Sequence, residues 1–164
     1  MAPAAVLMGP PGAGKTTVGQ AVAGLLGVAF ADTDHLIEER AGKPITEIFF
    51  DDGEPAFRAL ERETIVTALE EFDGVLALGG GAILDPGTRD LLRPQRAVFL
   101  SVELAAAVKR VGLGAGRPLL SVNPRATLKF LLEERRPLYA SVATHTVRTD
   151  ERPPEELAAE IAGL

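Results

Sequence analysis

The strongest constraint on the fold is a glycine-rich segment at residues 9–16, Gly-Pro-Pro-Gly-Ala-Gly-Lys-Thr, which fits the pattern G-x-x-x-x-G-K-[ST]. Apolar residues 4–8 come directly before it and predict a buried strand, whereas residues 15–26 have a helical periodicity that ends at Gly27. Between a strand and a helix, the backbone N–H groups of such a loop turn inward around phosphate oxygens, and the helix N-terminus adds partial positive charge. The segment therefore predicts an α/β fold that binds a nucleotide.

The side chains of this loop have separate predicted roles. Lys15 would reach the outer phosphates, and the hydroxyl group of Thr16 would bind Mg²⁺. The residues expected to contact the nucleotide are Gly12, Ala13, Gly14, Lys15, Thr16 and Thr17. A glycine-rich turn that only caps a helix is the competing interpretation, but the strand and the helix on either side of the motif argue against it.

The rest of the chain alternates between short apolar runs and helical periodicity, which is typical of a parallel sheet. Further strands are predicted at residues 28–32, 75–78, 97–101 and 145–149, and further helices at residues 55–72, 124–134 and 153–161. We expect a five-stranded parallel sheet flanked by helices on both faces, in a single domain over residues 1–164. The glycine-rich residues 112–123 are a candidate lid, although an ordinary surface loop fits their composition equally well.

A phosphate loop does not by itself name a reaction, so the acidic residues around it matter. The element that reads guanine in GTPases is absent, since the single Asn of the chain, Asn123, is followed by Pro124. Asp32 and Asp34 end the second predicted strand, and the carboxyl ends of parallel strands face one crevice. Asp32 would hold a metal-bound water there, and Asp34 would face the hydroxyl group of the acceptor. Capping of the next helix is the alternative role of Asp34.

Composition and charge exclude several other classes of protein. The formal net charge of −6 argues against nucleic-acid binding, which needs a basic face. The absence of cysteine excludes disulfides and thiolate metal sites and is consistent with a reducing compartment. The longest nearly apolar run, residues 75–84, is too short for a membrane helix of about 20 residues, and no signal peptide is expected. We therefore expect a cytoplasmic protein with neither a nucleic-acid nor a membrane partner.

Five further motifs follow the phosphate loop in a fixed order. They are D-T-D at residues 32–34, F-R at 57–58, G-G-G at 79–81, R-P-L-L at 117–120 and R-x-P-L-Y at 135–139. In this order and spacing the chain resembles the shikimate kinase family over essentially its whole length. The resemblance implies a P-loop kinase fold with a substrate-binding helical region at about residues 33–61 and a lid at about residues 112–123. It also implies a monomer that transfers the γ-phosphoryl group of ATP, with Mg²⁺, to the 3-hydroxyl of shikimate, on the route to chorismate and the aromatic amino acids.

The resemblance assigns catalytic and nucleotide-binding roles residue by residue. Lys15, Asp34 and Arg117 would be catalytic, with Arg117 reaching the nucleotide phosphates from the lid. Arg110 and Arg152 would flank the adenine. The assignment of Arg152 has the weakest basis, because the residues around it match little of the family's motif pattern. The metal would be held by Thr16 and Asp32.

The substrate side of the site combines arginines with the glycine run. The residues expected to contact shikimate are Asp34, Arg58, Gly79, Gly80, Gly81 and Arg135. Guanidinium groups suit the carboxylate of shikimate, and glycine lets the backbone approach a ligand closely. Glu61, one helical turn from Arg58, is expected to hold that arginine in place. The R-x-P-L-Y motif selects Arg135 over the adjacent Arg136.

Two other functions share part of this pattern. A kinase for another small hydroxy acid, such as gluconate, would have the phosphate loop and a clamp for a carboxylate. A non-catalytic module could retain the loop for regulation by a nucleotide. Arg58, the G-G-G run and R-x-P-L-Y favour shikimate. His35 and His145 lie outside the matched motifs, so we expect surface or packing roles for both.

Overall fold

The structure is a computed structural model that describes residues 3–111 and 124–164, without the side chains of residues 110, 111 and 124. The described strands are β1 (Ala5–Met8), β2 (Ala29–Asp32), β3 (Gly74–Ala77), β4 (Ala97–Ser101) and β5 (His145–Arg148). The described helices are α1 (Lys15–Leu26), α2 (Thr33–Ala41), α3 (Ile45–Asp52), α4 (Glu54–Glu71), α5 (Pro86–Leu92), α6 (Leu104–Val111), α7 (Pro124–Val142) and α8 (Pro154–Ala162). A short 3₁₀ turn, Ala82–Leu84, lies between β3 and α5.

All five strands belong to one parallel sheet with the order β2-β3-β1-β4-β5. β1 lies at its centre, where Val6 is in register with Leu76 of β3 and with Ala97 of β4. Because the chain continues to one side of β1 first and to the other side later, a crevice opens outside the carboxyl end of this strand. The predicted α/β fold with a five-stranded parallel sheet is confirmed, and the glycine-rich loop leaves β1 at that crevice.

The sheet is covered by helices on both faces. Leu7 points into a core formed with α1, α6, α7 and α8, whereas its neighbours Val6 and Met8 point into a core formed with α4, α5 and α7. Strands buried on both faces are apolar throughout rather than alternating, which explains the uninterrupted apolar sequence of β1. None of the described helices is long and apolar enough to cross a membrane.

A third, smaller core lies outside the sheet, within residues 33–61. Ile37 of α2, Ile48 of α3 and Phe57 of α4 are buried together, and the rings of Phe49 and Phe57 have centroids 4.7 Å apart. The three helices therefore pack on one another, and α4 also packs on the sheet. This region follows β2 and precedes β3 in sequence, so it stands at one side of the crevice.

Helix boundaries followed the local signals in some places and not in others. α1 begins and ends at the predicted residues, and Gly27 ends it in a left-handed conformation with φ of 69°. α7 continues to Val142, so the predicted end at residue 134 was too early. Pro137 lies inside α7, and the helix persists there because Tyr139 and Val142 pack against the sheet. The Tyr139 ring stacks on Phe99 of β4 with centroids 4.9 Å apart.

Candidate active site

The phosphate loop is shaped by its glycines and by the lysine that follows them. Gly14 precedes α1 with φ of 91°, a left-handed conformation that costs glycine nothing, and it turns the chain into the helix. Lys15 donates from Nζ to the carbonyl oxygens of Gly9 at 2.7 Å and Pro10 at 3.1 Å. The ammonium group is thereby held across the loop, next to the N-terminus of α1.

The two aspartates after β2 have different environments. The Oδ1 atom of Asp32 accepts a hydrogen bond of 2.8 Å from the backbone N–H of Asp34 and so caps α2. The capping role that the sequence left open for Asp34 thus belongs to Asp32. Asp34 lies in the first turn of the helix, where the helix dipole favours a negative charge.

Thr33, between these aspartates, ties the end of β2 to the end of β3. Its side chain is fully buried, and its Oγ1 accepts a hydrogen bond of 3.0 Å from the backbone N–H of Gly79. The two strands are adjacent in the sheet, so residues that follow them meet at the same edge. The N–H of Gly79 is consequently engaged within the protein and holds the glycine run in a fixed position.

The glycine run at residues 79–81 is packed tightly against charged side chains. A methyl group added to Gly79 would lie 2.5 Å from Oδ1 of Asp34 and 3.2 Å from Oε2 of Glu61. One added to Gly81 would lie 2.3 Å from Nη2 of Arg58. No side chain larger than hydrogen fits at either position without movement of these groups, which explains the glycines that the sequence places here.

Arg58 is fixed by two glutamates of its own helix. Its Nη1 donates to Oε1 of Glu61 at 2.8 Å, and its Nη2 lies 3.4 Å from Oε2 of Glu54. The first contact is the pairing expected from the spacing of the two residues. The guanidinium group is only partly exposed, and it lies against the backbone of Gly81.

Glu61 is an unusually buried carboxylate. Its side chain is only 4% exposed, and Oε2 has no hydrogen-bond partner within the described part of the chain. Burial raises the pKa of Glu61, the charge of Asp34 raises that pKa further, and the charges of Arg58 and Arg135 oppose both effects. Glu61 therefore holds Arg58 at the cost of its own desolvation.

Arg135 and Arg136 are adjacent in α7 but lie in different environments. Arg135 is 3% exposed, and its Nη1 would be 3.5 Å from a methyl group on Gly80, whereas Arg136 is exposed. Tyr139, one turn further along, is also buried and donates a hydrogen bond to the carbonyl oxygen of Gly80. Burial raises the pKa of Tyr139, and the nearby charge of Arg135 opposes that effect.

One cavity of about 430 Å³ joins the phosphate loop to the glycine run. The predicted site residues that line it are Gly12, Ala13, Gly14, Lys15, Thr16, Thr17, Asp32, Asp34, Gly79, Gly80 and Arg152. Gly81, the last residue of the glycine run, does not line it, and neither do Arg58 and Arg135, which lie against Gly81 and Gly80. The structure thus brings the phosphate-binding and acceptor-binding candidates to one place.

Several lining residues were missed by the sequence reasoning. They are Pro11, Val18, Leu78, Thr149, Pro154 and Leu157. Thr149 follows β5, and the rule that ligands bind at the carboxyl ends of parallel strands could have identified it. Pro154 and Leu157 belong to α8, which carries no phosphate-binding motif, and only the packing of α8 beside α1 reveals them.

Of the three arginines predicted to bind the nucleotide, the structure describes the side chain of Arg152 alone. Arg152 lines the cavity while its guanidinium group contacts Glu156 at 3.5 Å and Glu160 at 3.0 Å. Arg110 falls at the end of α6, but its side chain lies outside the described residues. Arg117 and the predicted lid at residues 112–123 lie outside them altogether.

The fold and the site define a P-loop kinase that acts on a small molecule. The model of the shikimate kinase family matches residues 11–163. The shikimate kinase of Salinispora arenicola is 66% identical over 164 residues, which cover 100% of this chain and 98% of the relative. This chain belongs to the shikimate kinase family, whose members are ATP-dependent kinases. The resemblance drawn from the motifs is confirmed.

Solved structures also resemble this chain, and they include a shikimate kinase and a gluconokinase. A shikimate kinase from Acinetobacter baumannii in complex with shikimate superposes with a TM-score of 0.93 at 39% identity, covering 98% of this chain and 90% of that one. A gluconokinase from Sinorhizobium meliloti reaches a TM-score of 0.58 at 26% identity, covering 97% of this chain and 89% of that one. The two enzymes share the fold with this chain, but the shikimate kinase is much closer in structure.

Proposed function

We propose that this protein transfers the γ-phosphoryl group of ATP to the 3-hydroxyl of shikimate, giving 3-phosphoshikimate and ADP. The observation that carries the proposal is the arrangement of Asp34, Arg58 and Arg135 around residues 79–81, beside the phosphate loop. One anionic acceptor and one nucleotide fit such a site. The relative from Acinetobacter baumannii, which is described in complex with shikimate, supports this identity of the acceptor.

The nucleotide would bind along the phosphate loop. Backbone N–H groups of residues 12–17 and the N-terminus of α1 would receive the phosphates, and Lys15 would move from the loop carbonyls to the outer phosphates. Arg110 and Arg152 would flank the adenine. For Arg152 this requires release from Glu156 and Glu160, which are exposed partners of little energetic weight.

The oxygen donors beside the loop fit a magnesium ion. Thr16 offers an exposed hydroxyl and Asp32 a carboxylate, both line the same cavity, and hard oxygen ligands are those that Mg²⁺ prefers. Since Oδ1 of Asp32 accepts from the Asp34 N–H, its other oxygen would act through a metal-bound water. When bound, the ion would neutralise negative charge on the phosphates.

Shikimate would be recognised by groups of opposite character on either side of its ring. Arg58 and Arg135 would bind the carboxylate with charge-assisted hydrogen bonds, which are roughly twice as strong as neutral ones. Asp34 and the backbone of Gly80 would bind the hydroxyl groups. The contact between Gly79 and Asp34 would set how deep the carboxylate of Asp34 lies in the cavity.

The reaction needs alignment more than covalent chemistry from the protein. Asp34 would accept a hydrogen bond from the 3-hydroxyl group and so direct the oxygen of that hydroxyl group at the γ-phosphorus. Lys15 and Arg117 would balance the negative charge of the transferred phosphoryl group. A lid over residues 112–123 would exclude water as it delivers Arg117. We further propose a single-domain, cytoplasmic monomer with the acceptor region at residues 33–61.

A substrate panel tests the proposed reaction. Release of ADP would be measured by a coupled assay with shikimate, gluconate and nucleoside monophosphates as acceptors. We expect turnover with shikimate and only background rates with the others. Preference for gluconate or a nucleotide would overturn the proposal.

The Asp34→Asn variant separates an enzyme from a regulatory module. Loss of the carboxylate should reduce turnover by about 100-fold or more, in the range of lost acid–base and positioning groups, while ADP affinity is largely retained. Asp73→Asn, at an exposed position after α4, is the matched control and should leave turnover unchanged. Equal turnover in all three proteins would favour a non-catalytic role of this site.

A further inference from the structure

The buried phenol of Tyr139 joins two elements of the acceptor site. Its hydroxyl group donates to the carbonyl oxygen of Gly80, and Arg135, one turn earlier in α7, is buried beside the same glycine. The residue is 1% exposed, and its ring stacks on Phe99 in the sheet. Tyr139 therefore has one fixed orientation, set by the most rigid part of the molecule.

The direction of the hydrogen bonds is determined by the chemistry of the groups. A carbonyl oxygen only accepts, so the phenol must donate its proton to Gly80, and its oxygen can accept only from a group that donates, as a guanidinium group does. Burial raises the pKa of Tyr139 above its usual range, so the hydroxyl proton stays in place at every pH at which the protein would work. Tyr139 thereby forms a short relay from α7, the helix that carries Arg135, to the backbone of Gly80.

The relay fixes groups that would face different parts of one ligand. A peptide bond is planar, so holding the carbonyl of Gly80 also orients the N–H of Gly81 on the opposite side of that bond. Arg135 would otherwise have several rotamers available, and its Nε has no hydrogen-bond partner among the described residues. The buried ring of Tyr139, four residues further along the same helix face, limits that freedom before any ligand arrives.

We propose that Tyr139 is a positioning residue that pre-organises Arg135 and Gly80 for the acceptor without touching it. This inference rests on the proposed roles of Arg135 and Gly80. Its consequence is selective. Loss of the hydroxyl group should weaken acceptor binding and leave nucleotide binding intact. The phosphate loop follows β1 and is held by the hydrogen bonds of Lys15 to its own carbonyl groups.

The Tyr139→Phe variant tests the proposal, since it keeps the ring that packs on Phe99. We expect the KM and the calorimetric Kd for shikimate to rise about 10-fold, with kcat reduced less than about threefold and the Kd for ADP unchanged. Thr88→Val is the matched control. It also removes a buried hydroxyl group, which donates to Asp85 at 3.0 Å away from the site, and should leave the KM unchanged.

A double-mutant cycle with Arg135→Lys distinguishes this inference from the proposed function. If Tyr139 acts through Arg135, the two substitutions should be markedly non-additive in the Kd for shikimate. Additive effects, an unchanged KM in Tyr139→Phe, or an equal loss of ADP affinity would each overturn the positioning role. If Arg135→Lys itself left shikimate binding unchanged, the proposed role of Arg135 would fail instead.

Discussion

Asp34 and Glu61 approach the same glycine, Gly79, from two helices, and Glu61 accepts a hydrogen bond from Arg58. The charge on Glu61 is tolerated because Arg58 donates to it, yet burial and Asp34 both favour its protonated form. The orientation of Arg58 therefore depends on the ionisation of Glu61, a carboxyl group that is buried away from water. A carboxylate kept at such a cost at a ligand site is expected to serve the ligand rather than stability.

Replacement of Glu61 by Gln should reveal this cost in the pH dependence of stability. A raised pKa means that the folded protein binds the proton more tightly than the unfolded chain, so this contribution to folding is complete at low pH and is lost as the pH rises through the folded pKa. Glutamine does not titrate. The free energy of unfolding of Glu61→Gln, relative to the unaltered protein, should therefore increase as the pH rises above about 4, the ordinary pKa of a glutamate carboxyl group.

Urea titrations across this pH range measure the difference. Glu63→Gln, at an exposed position of the same helix, is the control and should show no comparable trend. A flat difference for Glu61→Gln would mean that Arg58 and Arg135 fully offset the burial. In the variant Arg58 also loses its ionised partner, so the KM for shikimate should rise even where stability improves.

At the scale of elements, the site depends on how the carboxyl ends of β2 and β3 are joined. Thr33 is the link, because its hydroxyl group accepts the buried N–H of Gly79. This hydrogen bond connects the capped start of α2 directly to the glycine run. Asp34 and residues 79–81 are placed by the same hydrogen bond, although they are far apart in the sequence.

Thr33→Val should therefore disturb stability and acceptor binding together. Valine has nearly the same shape but leaves the N–H of Gly79 without an acceptor, which costs about 1–3 kcal/mol in the free energy of unfolding. Thr33→Ser keeps the hydroxyl group and should recover most of both properties. Thr46→Val, at an exposed position of α3, is the control. Full stability of Thr33→Val in denaturant unfolding would show that the link carries no weight.

The elements also show what local sequence can predict. α1 was predicted to the residue because Gly27 supplies a strong local stop, and α4 was displaced by one residue. The end of α7 was missed because a proline at position 137 normally ends a helix, whereas here distant strand residues such as Phe99 hold the next turn in place. The sequence also allowed Asp34 to cap α2, whereas Asp32 is the residue that caps it. Which of two nearby aspartates caps depends on where the strand ends.

At the scale of the molecule, cations converge on one crevice of a chain with a formal net charge of −6. The phosphate loop and its lysine were predictable because the motif is contiguous. Pro154 and Leu157 were not, because they reach the cavity only through the packing of α8 beside α1 in the tertiary structure. Thr149 also lacks a local motif, and only the general rule for the carboxyl ends of parallel strands points to it.

Ligand-induced stabilisation gives a test at this scale. Shikimate at about 100 times its Kd should stabilise the folded protein by about 2.7 kcal/mol and raise the Tm by roughly 5–10 °C. ADP should do the same through the other half of the site. In Arg135→Ala the shift with shikimate should disappear while the shift with ADP remains, as measured by calorimetry. A lost ADP shift in that variant would contradict a division of the site into two halves.

The small core of Ile37, Ile48 and Phe57 has a consequence for how acceptor choice can evolve. The proposed acceptor contacts from residues 33–61 lie on helices that pack on one another, whereas the phosphate loop follows the central strand. Recombination with breakpoints near Asp32 and Gly74 would exchange this insert as a unit and leave the phosphoryl donor site intact. The gluconokinase of related fold is a natural donor for such a chimaera. Arg135, outside the insert, would remain as the first residue to mutate for a new acceptor.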